Sequence, residues 1–125
     1  MRGTDVRFLP LLLCILMGKA AACGYCVEDK IAAVYDYAAV QQAASRKQTT
    51  VYFAIDGAIR GQASSLKTMI ERTKGVEQGS ARVSVDAAAL AVAFDPARVS
   101  LGVLQRNLEA KLRPLGLSLL LLDAK

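Results

Sequence analysis

The sequence predicts an α+β domain, a ferredoxin-like βαββαβ antiparallel sheet with an extra N-terminal helix. Three observations carry the prediction. Four short β-prone runs occur near residues 49–55, 82–86, 90–94 and 117–122. A stretch of helical periodicity separates the first run from the second, and another separates the third from the fourth. Ahead of them all lies an Ala-rich segment without Gly or Pro, as a helix requires.

The chain opens with Arg2 and Arg7, an apolar run from Phe8 to Met17, and then Ala20-Ala21-Ala22. That order matches a secretory signal peptide over residues 1–22. The apolar run is about half the length a helix needs to cross a bilayer, so a cleaved leader is expected rather than a permanent anchor. Cleavage after Ala22 leaves Cys23 as the first mature residue and predicts an exported chain, in a bacterial periplasm. Membrane contact is then expected only through the leader or through lipidation of Cys23. Lipoprotein leaders usually carry Leu three places before the cysteine, where Ala20 stands here.

Residues 23–48 form the second segment. Cys23-Gly24-Tyr25-Cys26 is followed by a helix predicted from Glu28 to about Arg46, with Val27, Ile31, Val34, Tyr35 and Ala38 at helical spacing. Glu28 and Asp29 occupy its first turn, where carboxylates complement the helix dipole. Tyr25, Tyr35 and Tyr37 are expected to cover the junction between helix and domain.

Residues 49–125 form the third segment. Thr49 to Ile55 reads as a strand, and Asp56-Gly57 as the turn that ends it. A helix follows over 63–74, with Ala63-Ser64-Ser65 as its cap, Leu66, Met69, Ile70 and Thr73 on one face, and Gly75 as its stop. Met69 in that company reads as core filling, not as a thioether ligand. Arg82 to Asp86 and Leu90 to Phe94 alternate with period two and read as a hairpin. Ser100 caps a helix whose Leu101, Leu104, Leu108 and Leu112 share a face, Pro114 and Gly116 close it, and Leu117 to Leu122 forms the last strand.

Gly75-Val76, Val83-Ser84-Val85-Asp86 and the run Val92-Ala93-Phe94-Asp95-Pro96-Ala97-Arg98-Val99-Ser100 carry a family resemblance. Over about residues 49–122 the chain resembles the heavy-metal-associated domains of copper chaperones and metal-transporting ATPases. The resemblance implies a ferredoxin-like fold and a GMxCxxC loop after the first strand, whose cysteines bind Cu(I) or a similar soft ion. In this chain those cysteines would fall near Ile59 and Gln62, within Gly57-Ala58-Ile59-Arg60-Gly61-Gln62. Neither residue is a soft-metal ligand, so the family's loop is degenerate here.

Composition removes several functions. There is no His, the commonest general base and metal ligand, and no paired carboxylates stand at a recognisable spacing. Hydrolytic chemistry has no support, and the chain is not expected to be an enzyme. The net charge of +5 falls to +3 once the leader departs with three basic residues and one acidic residue. The remaining cations are scattered without interleaved aromatics, so no nucleic-acid partner is expected.

Cys14 leaves with the leader, and Cys23 and Cys26 become the only thiols of the mature chain. Two thiolates suffice for roughly linear Cu(I), whereas a closed zinc site needs four ligands. The leading expectation is a soft-metal site at Cys23 and Cys26, in a protein that binds or relays Cu(I) alone or with a metal-handling partner. Two alternatives stay open. One is a thiol-disulfide redox protein built on the CxxC-before-helix arrangement, which Glu28 and Asp29 oppose by repelling a thiolate. The other is a non-metal interaction module with a structural Cys23 to Cys26 disulfide.

Overall fold

The computed structural model describes residues 26–125; the expected leader, Cys23 and Tyr25 lie outside the described residues. Among the described residues four helices and four strands follow one another. They are α1 (Val27–Val34), α2 (Tyr37–Ser45), β1 (Thr49–Asp56), α3 (Ala63–Glu71), β2 (Arg82–Ser84), β3 (Ala89–Phe94), α4 (Leu101–Leu112) and β4 (Ser118–Ala124), with a 3-10 turn at Arg113–Leu115 before β4. The strands form one antiparallel sheet in the order β2-β3-β1-β4. This order, with a helix between β1 and β2 and another between β3 and β4, is the ferredoxin-like arrangement the sequence predicts.

Period-two alternation divides the sheet into two apolar faces. Val51, Phe53 and Ile55 of β1 and Leu90, Val92 and Phe94 of β3 join Leu66 and Ile70 of α3 and Leu104, Leu108 and Leu112 of α4 in the main core. The opposite face carries Tyr52, Ala87, Ala89 and Ala91, and Val34 and Ile31 of α1 pack there together with Leu122. β3 is buried along its whole length because helices cover both of its faces. The small side chains of Ala87, Ala89 and Ala91 leave the room that α1 occupies.

The single helix expected from Glu28 to Arg46 is two. Tyr35 (ψ 130°) and Asp36 (φ −134°, ψ 109°) are extended and break it. Asp36 then caps α2, accepting a hydrogen bond from the Ala39 amide at 3.1 Å. The break is also held from a distance: Arg82 of β2 donates through Nε to Asp36 Oδ2 at 3.1 Å, and its Nη2 lies 3.0 Å from the same oxygen. Helical periodicity ran through the break, so the side chain that caps a new helix reads in sequence as one more exposed position.

α2 ends with Lys47 in the left-handed region at φ 59° and the Gln48 amide donating to Ala43 O at 2.8 Å, a Schellman closure without glycine. The α3 cap is also corrected. Gln62 holds the N-cap position and makes no side-chain cap bond, whereas Ser64 and Ser65 lie inside the first turn and the helix ends at Glu71. Ser100 caps α4 as expected, accepting from the Val103 amide at 3.2 Å. Met69 packs against the main core.

Candidate functional site

Cys26 is exposed and stands at the N-cap of α1, in extended backbone at φ −78° and ψ 172°, with no side-chain cap bond. Its carbonyl accepts the first helical bond, from the Lys30 amide at 3.0 Å. Glu28 and Asp29 follow in the first turn, both exposed. A thiol here borders the positive end of a helix but shares that end with two carboxylates.

Lys30 fixes where this end of α1 sits. Its ammonium donates to Ala87 O at 2.5 Å and to Ala88 O at 3.5 Å, at the turn between β2 and β3. The Ala88 carbonyl also accepts from the Ile55 amide at 2.8 Å. Ile55 stands two residues before Gly57, so the start of α1 lies at the sheet end where β1 gives way to the Gly57–Gln62 loop. At its other end α1 closes at Tyr35, and Val34 packs with Tyr52 of mid-β1. Burial pushes the Tyr52 phenol up, and the nearby Tyr35 and Asp123 add to it.

The loop itself has the geometry of a strand-to-helix connection without ligands. Gly57 adopts φ +115° and lies so close to the Gly116 carbonyl that a Cβ would approach it to 2.5 Å. Ile59, at one of the positions where the family resemblance places a cysteine, packs against the main core. Gln62, at the other, is the N-cap of α3. Among the described residues no three His, Cys, Asp or Glu side chains gather as a metal site. The donor set expected at Cys23 and Cys26 has one described member, and it stands on the opposite face of the sheet from α3.

Of the three tyrosines expected at the junction, Tyr25 lies outside the described residues and the other two are exposed. Tyr37 is 66% exposed and Tyr35 49% exposed. The contacts that hold α1 and α2 to the domain are polar and aliphatic: Lys30, Val34, the Asp36–Arg82 pair, and Glu77, which accepts from Arg46 at 3.3 Å and from Gln48 at 3.0 Å. Lys30 and Arg82 were not singled out by sequence reasoning. Nothing local marks them, because their partners lie 57 and 46 residues away.

No family model matches the chain, and no curated protein matches it. Several solved structures are similar in fold. A copper binding domain from HMA7, a P-type ATPase, is 18% identical with a TM-score of 0.49, the match covering 62% of this chain and 97% of that one. Oxidised MerP from Ralstonia metallidurans CH34 is 19% identical with a TM-score of 0.48, over 61% of this chain and 99% of that one. The N-terminal domain of a potential copper-translocating P-type ATPase from Bacillus subtilis, solved in its Cu(I)-loaded state, is 19% identical with a TM-score of 0.48, over 62% and 91%.

Proposed function

We propose that this chain is an exported, non-enzymatic protein that binds or relays a soft metal ion, Cu(I) the best fit, through Cys23 and Cys26. One observation carries the reading: Cys26 is an exposed thiol at the N-cap of a helix that Lys30 pins to the sheet end where β1 enters the Gly57–Gln62 loop. A second thiolate three positions earlier gives the two soft donors that two-coordinate Cu(I) takes. The ligandless loop leaves these thiols as the donors on offer, and the reading rests on them rather than on fold likeness.

Titrating the reduced mature chain with Cu(I) against a competing chelator tests the proposal. One equivalent is expected to bind, and the Cys23→Ser, Cys26→Ser double variant is expected to bind none. Equal uptake by the double variant would sink it. A free-thiol count on protein taken directly from the exporting cell separates the alternatives, because a fully oxidised pair supports the interaction module with its structural disulfide. Acyl chains found on Cys23 by intact mass spectrometry would remove it as a ligand.

A further inference from the structure

The cations look scattered in the sequence, and the fold sorts them. α3 and α4 cover one face of the sheet, and the segments that carry them, residues 56–75 and 95–116, hold eight of the described cations. Arg60, Lys67, Arg72 and Lys74 lie in or beside α3, and Arg98, Arg106, Lys111 and Arg113 in or beside α4. All eight are exposed. Leu66 and Ile70 of α3 and Leu104, Leu108 and Leu112 of α4 are turned to the core, which leaves the charged side chains on the outer surface of this layer.

The same segments hold four carboxylates, and three of them are taken up by backbone amides. Glu71 accepts from the Ala81 amide at 3.2 Å, Asp95 from Ala97 at 2.9 Å and Glu109 from Leu119 at 3.4 Å. The ion pairs among the described residues are Arg46–Glu77, Arg82–Asp36 and Lys125–Asp123, all outside these segments. The rest of the described chain, with α1 and α2 on the opposite face of the sheet, sets five cations against six carboxylates. The positive charge is thus confined to one side. Like charges held on one layer repel one another, and an anionic surface laid against them relieves that repulsion.

We infer that the α3–α4 face docks on a bilayer rich in anionic phospholipid, a contact that needs neither a leader nor an acyl chain on Cys23. Two features favour lipid over an acidic protein. The cations are spread over two helices and their flanking turns, and a headgroup layer is itself a diffuse sheet of charge that attracts each of them within a Debye length. A specific protein interface needs a desolvated core poor in charge. The exposed large apolar side chains of this layer, Val103 in the first turn of α4 and Leu115 beyond its end, stand too far apart to form one. Each can dip singly into the headgroup boundary. The surface is independent of the two thiols, and a Cys23→Ser, Cys26→Ser variant is expected to keep it.

The test is sedimentation of the unacylated mature chain, its mass verified, with vesicles of equal parts phosphatidylglycerol and phosphatidylcholine and with vesicles of phosphatidylcholine alone. Binding to the anionic vesicles is expected, falling about tenfold or more between low salt and about 1 M sodium chloride. Lys67→Gln with Lys111→Gln should weaken it about tenfold or more. Lys47→Gln with Lys125→Gln removes the same charge outside this layer and should weaken it less than about threefold. Both double variants should keep the parent's circular dichroism, since all four side chains are exposed. No binding to the anionic vesicles, equal binding to both kinds, insensitivity to salt, or equal losses in the two double variants would each overturn the inference. Tighter binding to soluble polyglutamate than to the vesicles at matched charge would overturn it in favour of an acidic polypeptide.

Discussion

The Lys30 ammonium and the Ala87 carbonyl oxygen, 57 residues apart in sequence, meet at 2.5 Å and join α1 to the turn between β2 and β3. Beside Val34, which is buried under the sheet, this is the contact that holds the Cys26 end of the helix in place. Lys30→Met keeps the aliphatic stem and removes the donor. A loss of about 1–2 kcal/mol is expected in urea unfolding, as for a hydrogen bond to a charged group at a half-buried site. Amide exchange in α1 should accelerate more than exchange in β1, and equal acceleration in both would show that Lys30 does not anchor the helix.

The Ala39 amide, and after it the Arg82 guanidinium, hold the Asp36 carboxyl below the usual aspartate range. A carboxylate whose folded value lies below its unfolded value, about 3.9, contributes stability above that unfolded value and loses it as pH falls through the folded one. The contribution is therefore present at neutral pH and fades below about pH 4. Asp36→Asn keeps a capping oxygen and removes the charge. It is expected to lower stability at pH 7 and to narrow its gap to the parent chain as pH falls below 4, measured by thermal unfolding across that range. A gap that does not change with pH would show that the charge is idle.

Gly57 and Gly61 both have positive φ but differ in surroundings. A Cβ on Gly57 would lie 2.5 Å from the Gly116 carbonyl oxygen, a backbone atom that cannot swing aside, whereas Gly61 has open space around it. Gly57→Ala should cost about 2–3 kcal/mol and Gly61→Ala about 1, the second from backbone strain alone. Comparable losses in chemical denaturation would count against a close approach of β1 and the turn before β4.

Adjacent leucines in β4 separate core from surface. Leu119 packs into the main core at 7% exposure, whereas Leu120 is 64% exposed. Leu119→Ala is expected to cost about 2–3 kcal/mol, and Leu120→Ser to stay within about 0.5 kcal/mol while raising solubility. Unfolding midpoints with unchanged slopes would check both, and a reversed order would mean that the β4 register is shifted by one.

That register was legible in part. Leu117 to Leu122 alternates with nothing, being leucine at five of six positions, so the sequence marked a strand without saying which leucines face inward. Pairing with β1 decides it, by setting Leu119 opposite Ile55 and Leu121 opposite Phe53, with the register shifting only beyond them, between Phe53 and Tyr52. The residue types of the Gly57–Gln62 loop are a matter of sequence alone. Its lack of Cys, His and Met can be read without a fold.

From Thr49 onward the amino-acid sequence by itself determined the order of strands and helices, through local periodicity, and that order is the βαββαβ pattern of an antiparallel four-stranded sheet. It also determined that Cys23 and Cys26 hold all the thiol chemistry left once the expected leader is removed. Only the tertiary structure decided that α1 and α2 cover the second face of the sheet, that the chain breaks at Tyr35–Asp36, and that Lys30 ties α1 to the turn between β2 and β3. The physical reason is common to all three. Periodicity tells which residues share a face, but what covers that face is chosen by partners far along the chain, here Ala87 for Lys30 and Arg82 for Asp36.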